Sequence, residues 1–546
     1  MLRSVHRLLR LAPALLAACS ATPDSDPKTA SGSDGAGGGG GLGLGGSGGS
    51  GGLDIGSACK VAESTGDAVP VCKDVAPPDS FAPEIQWSWT APDAAAPFKR
   101  IGSFVTPLVG NFTDDNGDGA VDLCDVPDII EIETWFISDP DYFYKGRMYL
   151  LAGDTGQLEF EFAADVHQYA TPAFGDIDGD GLPEVVTLDT EQRLIAFEHD
   201  GSVKWHGDVI SATYAWAPSL ALYDLDGDGH VEILGPFEVF DENGKRIWGD
   251  FGAGSYQNYL GATPTAADLD GDGQLEVLFG HVTFHADGSP YWMVPGVSPG
   301  HPHVANLDDD PEPEVLLTTA EGITIVEHDG TVVSGPVRPT EPNAAVQCWG
   351  KPAVVHDFDG DDAADYAAGT CSDYSVYRPS QTAPQWSKAI YDFSGLAAAT
   401  AFDFLGDGIA EAIYADEEQI YAFDGATGTQ KFTHARHSGT AVEYPVVADV
   451  DNDGAAEVAF VWSYPELTWG ETDPNQTAGT SLTVLHDAME RWIPARRIWN
   501  QHAYHVTNVR EDGTIPKVMK KSWQLLNTFR TNSQIGDGQD CDPVPK

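Results

Sequence analysis

Asp224-Leu225-Asp226-Gly227-Asp228-Gly229-His230-Val231-Glu232 carries carboxylates at its first, third, fifth and ninth positions. Oxygens at alternate positions converge only if the backbone curls around a shared centre, and glycine supplies the φ > 0 conformations such a curl needs. One copy decides little, because Asp and Gly dominate turns generally. Recurrence is what constrains the fold. Turns of this kind begin at Asp114, Asp176, Asp224, Asp268, Asn306, Asp357, Asp403 and Asp449, and from the second onward they lie 38 to 51 residues apart. That interval marks a structural repeat.

Five turns are complete: Asp114/Asn116/Asp118/Asp122, Asp176/Asp178/Asp180/Glu184, Asp224/Asp226/Asp228/Glu232, Asp268/Asp270/Asp272/Glu276 and Asp449/Asp451/Asp453/Glu457. Their spacing matches the opening of the EF-hand loop. The Asp224 turn has Gly235 at position 12, whereas the Asp114 turn has Asp125 there and is the most EF-like. Hard oxygen donors without nitrogen or sulfur suit Ca²⁺ better than a transition metal. Three turns depart from the pattern. Asn306/Asp308/Asp310/Glu314 has Pro311 in the glycine place, Asp357/Asp359/Asp361/Asp365 has Asp362 there, and Asp403/Asp407/Glu411 has Leu405 where the second carboxylate belongs. The Asp357 turn is expected to bind a cation still, and the Leu405 turn weakly or not at all.

Between turns one order recurs. After Glu184 come Val185-Val186-Thr187-Leu188, then Leu194-Ile195-Ala196-Phe197, a His199-Asp200-Gly201 turn and Val203-Lys204-Trp205. After Glu411 the same order runs through Ile420-Tyr421-Ala422-Phe423 to Gln430-Lys431-Phe432. With the strand that enters the acidic turn, each unit holds four short strands, which predicts an all-β chain built as a β-propeller. Ala173-Phe174-Gly175-Asp176-Ile177-Asp178-Gly179-Asp180-Gly181 followed by Glu184-Val185-Val186 resembles the FG-GAP/VCBS repeat, which occurs in the integrin α-subunit propeller and in bacterial surface proteins. The resemblance implies Ca²⁺ in the loop between the first two strands of a blade.

Eight turns favour eight four-stranded blades over the alternative of seven. Ile85-Gln86-Trp87-Ser88-Trp89 resembles an outer strand such as Lys245-Arg246-Ile247-Trp248 and is expected to complete the last blade and close the ring. The domain plan is a signal peptide over 1–19, a tether and Cys-containing linker over 20–80, a propeller over 81–495 and a closing segment over 496–546. Ile129 to Arg147 and Tyr464 to Thr480 read as longer inserts on one face. The most basic and aromatic stretch is Arg496-Arg497-Ile498-Trp499-Asn500-Gln501-His502-Ala503-Tyr504-His505, expected to pack on the propeller.

The N-terminus reads as an export signal, with Arg3, Arg7 and Arg10 ahead of the apolar Leu11–Ala18 run. Leu16-Ala17-Ala18-Cys19 resembles the bacterial lipobox, which implies a lipid on Cys19 and a bacterial outer-membrane or cell-surface lipoprotein; a secreted or periplasmic protein is the alternative. The Gly/Ser-rich stretch that follows cannot bury a core, and about 35 such residues reach roughly 30 to 35 Å. Six cysteines remain in the exported chain, which argues for disulfides. Cys348 and Cys371 bracket the Asp357 turn and are expected to pair across one hairpin. Cys59–Cys72 and Cys124–Cys541 are further possible pairs.

With 84 Asp+Glu against 29 Lys+Arg, a net charge of −55 repels nucleic acid and anionic membrane surfaces. The chain has no P-loop or H-E-x-x-H motif. His281/His285 and His301/His303 fall on common strand faces but lack an evident third ligand. The reading is a calcium-stabilised, lipid-anchored, monomeric scaffold for binding or adhesion to a protein or glycan. The alternative is a polysaccharide-active lyase or hydrolase, since some pectic lyases use calcium-rich propellers.

Overall fold

The computed structural model describes residues 75–77, 80–94, 97–137, 143–211, 217–249, 263–308, 310–340, 348–392, 397–464 and 478–535. The chain divides into two units, residues 1–54 and 55–546. The first lies outside the described residues, as do the Cys19 lipobox, most of the tether, Cys59, Cys72, Cys541 and most of the Tyr464–Thr480 insert.

The strands of the second unit form eight antiparallel sheets, an eight-bladed propeller. Blades 1 to 8 cover residues 99–161, 173–209, 221–249, 265–293, 301–337, 354–389, 399–435 and 446–487, the last completed from elsewhere. Blade 2 shows the pattern in Ala173–Gly175, Glu184–Leu188, Arg193–Phe197 and Val203–Val209. Its inner two strands are wholly buried, while the outer strand has exposed positions along its length. A blade is covered by a neighbour on both faces, so its inner strands read as apolar runs rather than as alternation.

The seal between blades repeats around the ring. An aromatic side chain of one outer strand lies on a glycine of the next blade's outer hairpin: Trp87 on Gly156, Phe160 on Gly201, Trp205 on Gly244, Trp248 on Gly288, Trp292 on Gly330 and Trp386 on Gly428. A Cβ on Gly330 would come within 2.7 Å of the Trp292 indole, and its φ of 88° is one that only glycine adopts readily. The indole N–H groups of Trp87, Trp248, Trp292 and Trp386 donate to the carbonyls of Gly153, Ala286, His328 and Gly425 in the next blade.

Pro83–Trp89 is the outer strand of blade 8. It pairs antiparallel with Leu482–Asp487, Trp87 opposite Val484, so the ring closes through residues distant in sequence, as expected from the Ile85–Trp89 pattern. Closure joins the start of the propeller to its last blade by backbone pairing. Blade 1 departs from the four-stranded plan. Its second and third strands, Asp128–Ile137 and Phe143–Ala152, are ten residues each, and two short strands, Lys99–Ser103 and Leu108–Gly110, pair along the former. The 129–147 insert is therefore mostly a lengthened hairpin of the blade itself.

Residues 496–535 run along the propeller axis. Trp499 pairs with Val109 in blade 1, and Asn500 bonds to Phe174 in blade 2. The Gln501 side chain accepts the Leu222 N–H in blade 3, and Lys521 reaches Asp268 in blade 4. Asn527 caps Asn306 in blade 5, and Phe529 pairs with Val355 in blade 6. Thr531 donates to Ala401 in blade 7, and Asn532 donates to Val447 in blade 8. Trp499, Asn500, Gln501, His502 and Arg530 are fully buried. Cys348 and Cys371 form the expected disulfide, with Cα atoms 4.8 Å apart. Cys124 is disulfide-bonded as well.

Candidate metal centre

The acidic turns occupy one recurrent place, the connection from the innermost strand of a blade to its second. In blades 2 to 8 the inner strand ends at Gly175, Tyr223, Ala267, Ala305, His356, Phe402 and Ala448. Those residues pair in turn with Glu184, Glu232, Glu276, Glu314, Asp365, Glu411 and Glu457. The acid that opens the second strand is thus Glu in every one of these blades except blade 6, and the sheet sets its register. In the six Glu blades one carboxylate oxygen accepts the N–H of the turn's second residue, as Glu184 does from Ile177 (3.0 Å), Glu232 from Leu225 (2.8 Å) and Glu457 from Val450 (2.9 Å).

The first acid organises the curl. Asp224 Oδ1 accepts N–H groups from Gly227 (2.8 Å) and Asp228 (3.1 Å), and Oδ2 accepts that of Gly229 (2.8 Å). Asp226 and Asp228 each accept the N–H two residues on. Asp176, Asp178 and Asp180 repeat this in blade 2, Asp268, Asp270 and Asp272 in blade 4, and Asp449, Asp451 and Asp453 in blade 8. Ligand atoms of Asp176/Asp178/Glu184, of Asp224/Asp226/Asp228 and of Asp268/Asp270/Asp272 each lie within 4.8 Å of one another, close enough to share one cation.

The irregular turns differ for local reasons. Asp362 takes a φ of 65° in the glycine place, so the Asp357 curl survives, with Asp357 accepting from Asp359, Gly360, Asp361 and Asp362. In blade 5, Asn306 accepts from Asp308, and Asp308, Glu314 and Glu327 converge, the last from the third strand. Pro311 in the glycine place has no N–H to donate, and the Asp310 carboxylate accepts the Glu312 N–H at 3.0 Å, as Asp228 accepts that of His230. In blade 7, Asp403 accepts from Asp407 and Gly408, and Lys431 pairs with Glu411.

Blade 1 is the exception in register. Its inner strand ends at Gly110 and its second strand opens at Asp128, so the Asp114 turn sits within a longer connection. Asp114 accepts from Gly117, Asp118 and Gly119 as in the other turns. The Asp114/Asn116/Asp118/Asp122 turn differs from the others at its ninth position. Asp118 accepts the Ala120 N–H at 2.9 Å, as Asp228 accepts that of His230, while Asp122 turns its own carboxylate to the Cys124 N–H. The buried acid of this loop is Asp125, which accepts from Asp115, Asn116 and Asp122. Asp128 takes the strand-opening place and accepts from Phe112 and Thr113.

Burial governs the electrostatics. It pushes Glu232 up to about 8, and Glu184, Glu314, Asp365 and Glu411 to about 7. Glu457 stands well above the usual carboxylate range for the same reason, with Asp451 and Asp449 adding to it. Glu314 Oε1 and Glu457 Oε1 are buried without a hydrogen-bond partner. Cationic side chains reach some turns: Lys204 meets Asp178 and Glu184, Arg378 meets Asp359 and Asp361, and Lys521 meets Asp268. His285 joins Asp270 and Glu276, apart from His281. His301 and His303 are buried and bonded, His301 to Thr263 and His303 to Leu316 and Ala353. Neither pair forms the shared site its spacing allowed. Glu327, His285 and Asp128 were not legible as parts of these turns, because strand pairing brings them in.

Among the described residues no helix is long and apolar enough to cross a membrane. Among curated proteins, none matches the sequence. Of solved structures, the V. cholerae biofilm matrix protein Bap1 is similar over 85% of this chain and 100% of its own, at 21% identity and a TM-score of 0.69. The exotype rhamnogalacturonan lyase YesX and a Bacillus licheniformis rhamnogalacturonan lyase each cover 88% of this chain and 83% of their own, at 15% identity and TM-scores of 0.49 and 0.48. At such identities the first likeness is one of fold, and the other two support no argument about activity. Residues 176–235, from the Asp176 turn through the second strand of blade 3, match the FG-GAP-like repeat family, and the chain around them is an eight-bladed propeller.

Proposed function

We propose that this protein is a calcium-stabilised propeller displayed at the bacterial surface through a lipid on Cys19, where it binds a protein or glycan partner. The filled axis carries the binding reading. Where an open propeller would offer a central cavity, residues 499–505 and 529–532 are buried against the inner strands. Contact with a partner then falls to the blade faces and their connections, the usual place for recognition on a rigid scaffold. The biofilm matrix protein of similar fold suggests the same setting.

The donor set fits Ca²⁺. Three carboxylates converge in each complete turn of blades 2 to 4, with His285 beside two of those of blade 4, and Glu314 and Glu457 each keep one buried oxygen free for a cation. A bound cation would offset the charge that burial disfavours on these glutamates. Asp176, Asp178, Asp180 and Glu184 would hold it in blade 2, and the matching residues in the other complete turns. Bound-calcium stoichiometry on the purified protein tests the metal: several ions per chain are expected, and none would exclude it. A glycan array run beside a lyase assay on acidic polysaccharides tests the function. Specific binding without turnover is expected, and turnover would overturn the scaffold reading.

A further inference from the structure

Blade 1 buries a second acidic group away from the turns. Glu131 and Glu133 lie two residues apart on Asp128–Ile137, so their side chains leave the same face of the strand. Tyr149 is the cross-strand partner of Glu131, and Ser103 that of Glu133, which puts all four side chains in one patch. The patch faces blade 8: Gly102 bridges Ser463, Trp89 packs 5.3 Å from Tyr149, and Arg100 donates to Gly479 and Ser481. Ser103, Glu131, Glu133 and Tyr149 are each at most 1% exposed.

Most of the polar atoms there lack partners. Glu133 Oε1 accepts the Gly102 N–H at 2.5 Å and lies 3.6 Å from Arg100 Nη1. Both oxygens of Glu131, Glu133 Oε2, Ser103 Oγ and the Tyr149 hydroxyl make no hydrogen bond. Ser103 lies close enough to Glu131, and Ser481 to Glu133, to favour the charged forms, while Glu133 Oε2 and both oxygens of Glu131 remain without a partner of hydrogen-bond geometry. Two carboxylates against one guanidinium leave one negative charge in a buried crevice, a costly arrangement unless something neutralises it. Burial accordingly raises both carboxyls, Glu133 to about 7.

We propose that these five oxygens hold a monovalent alkali cation, Na⁺ or K⁺, between blades 1 and 8. Charge selects the valence: one positive charge brings the group to neutrality, whereas a divalent ion would leave a positive excess beside Arg100. The oxygen count selects a metal ion over a proton. A proton shared by the two carboxyls serves two oxygens and leaves the others buried and unmatched, whereas a hard cation accepts all of them. This site is independent of the acidic turns and of their calcium.

Thermal melting of the full-length protein tests it, with calcium saturating and chloride salts of Na⁺, K⁺ or N-methylglucamine at equal ionic strength. A ligand that binds only the folded state raises Tm, so a rise of a few degrees in Na⁺ or K⁺ is expected, the larger rise naming the ion. Glu131→Gln, which keeps the shape and removes one charge, is expected to abolish that difference. Equal Tm in all three salts would overturn the proposal and leave a shared proton as the neutralising group. Dependence that persists in E131Q would also overturn it. Should the variant fail to fold, crystals of the wild-type protein soaked in Rb⁺ decide: anomalous density between Glu131 and Glu133 supports the site, and its absence overturns it.

Discussion

The rim and the axis of this propeller are held by opposite strategies. At the rim an aromatic residue lies on a glycine again and again, from Trp87 on Gly156 to Trp386 on Gly428. Each such contact joins one blade to its neighbour. The axis is filled once, by residues 496–535, whose contacts reach every blade. Damage to a repeated part should stay local, whereas damage to the single axial segment should be felt by the whole ring.

Removing residues 496–546 makes the strongest test of that contrast, and a cooperative melt should be lost altogether. Trp499→Ala, at the centre of the axis, is expected to cost about 3–5 kcal/mol in denaturant unfolding. Calcium removal comes next, because many acidic turns lose their cation together. At 100 times Kd each filled site adds about 2.7 kcal/mol if only the folded state binds, so chelator should lower Tm by many degrees. An unchanged melt would mean the turns are not calcium sites.

The same chelated protein should respond to pH with a definite sign. Glu232 at about 8 and Glu184 and Glu314 at about 7 are raised above their unfolded values, so the folded state binds more protons between those limits. Stability without calcium should therefore be fully present below about pH 4 and fall as pH rises through 7 to 8. Restoring calcium should flatten that fall.

Single lesions at the rim should be smaller. Trp292→Ala removes one indole from Gly330 and should cost about 3 kcal/mol while the melt stays cooperative. Reducing Cys348–Cys371, which closes a 23-residue separation, should cost about 3 kcal/mol in the chain-entropy model. Asp226→Ala against Asp407→Ala is the finest comparison. Each carboxylate accepts one N–H two residues on, at 3.1 Å, so the two variants should match in chelator. With calcium present Asp226→Ala should cost more, because the Asp403 turn has Leu405 in a ligand place.

Much of the turn chemistry was legible because it is local. Asp224, Asp226 and Asp228 bond to amides within five residues, so spacing alone describes them. The turn at Asp114 shows the limit. Counting nine residues leads to Asp122, yet the loop closes on Asp125 and the strand opens at Asp128, because blade 1 inserts extra residues before its second strand. Blade 5 shows it again, where strand pairing brings Glu327 beside Asp308 and Glu314. Glu131 and Glu133 alternate with isoleucines, a pattern that ordinarily turns the acids toward water. Here blade 8 covers that face.

The sequence by itself determined the repeat, the four-stranded unit, the closing strand around Trp87 and the disulfide across the Asp357 hairpin. All of these rest on periodicity or on residues close together in the chain. Only the tertiary structure decided what fills the axis, which acids are buried between blades, and that Glu327 and His285 join the turns of their blades. Those depend on strand pairing and ring closure, which bring residues far apart in the chain into contact and bury strand faces that no local pattern marks as buried.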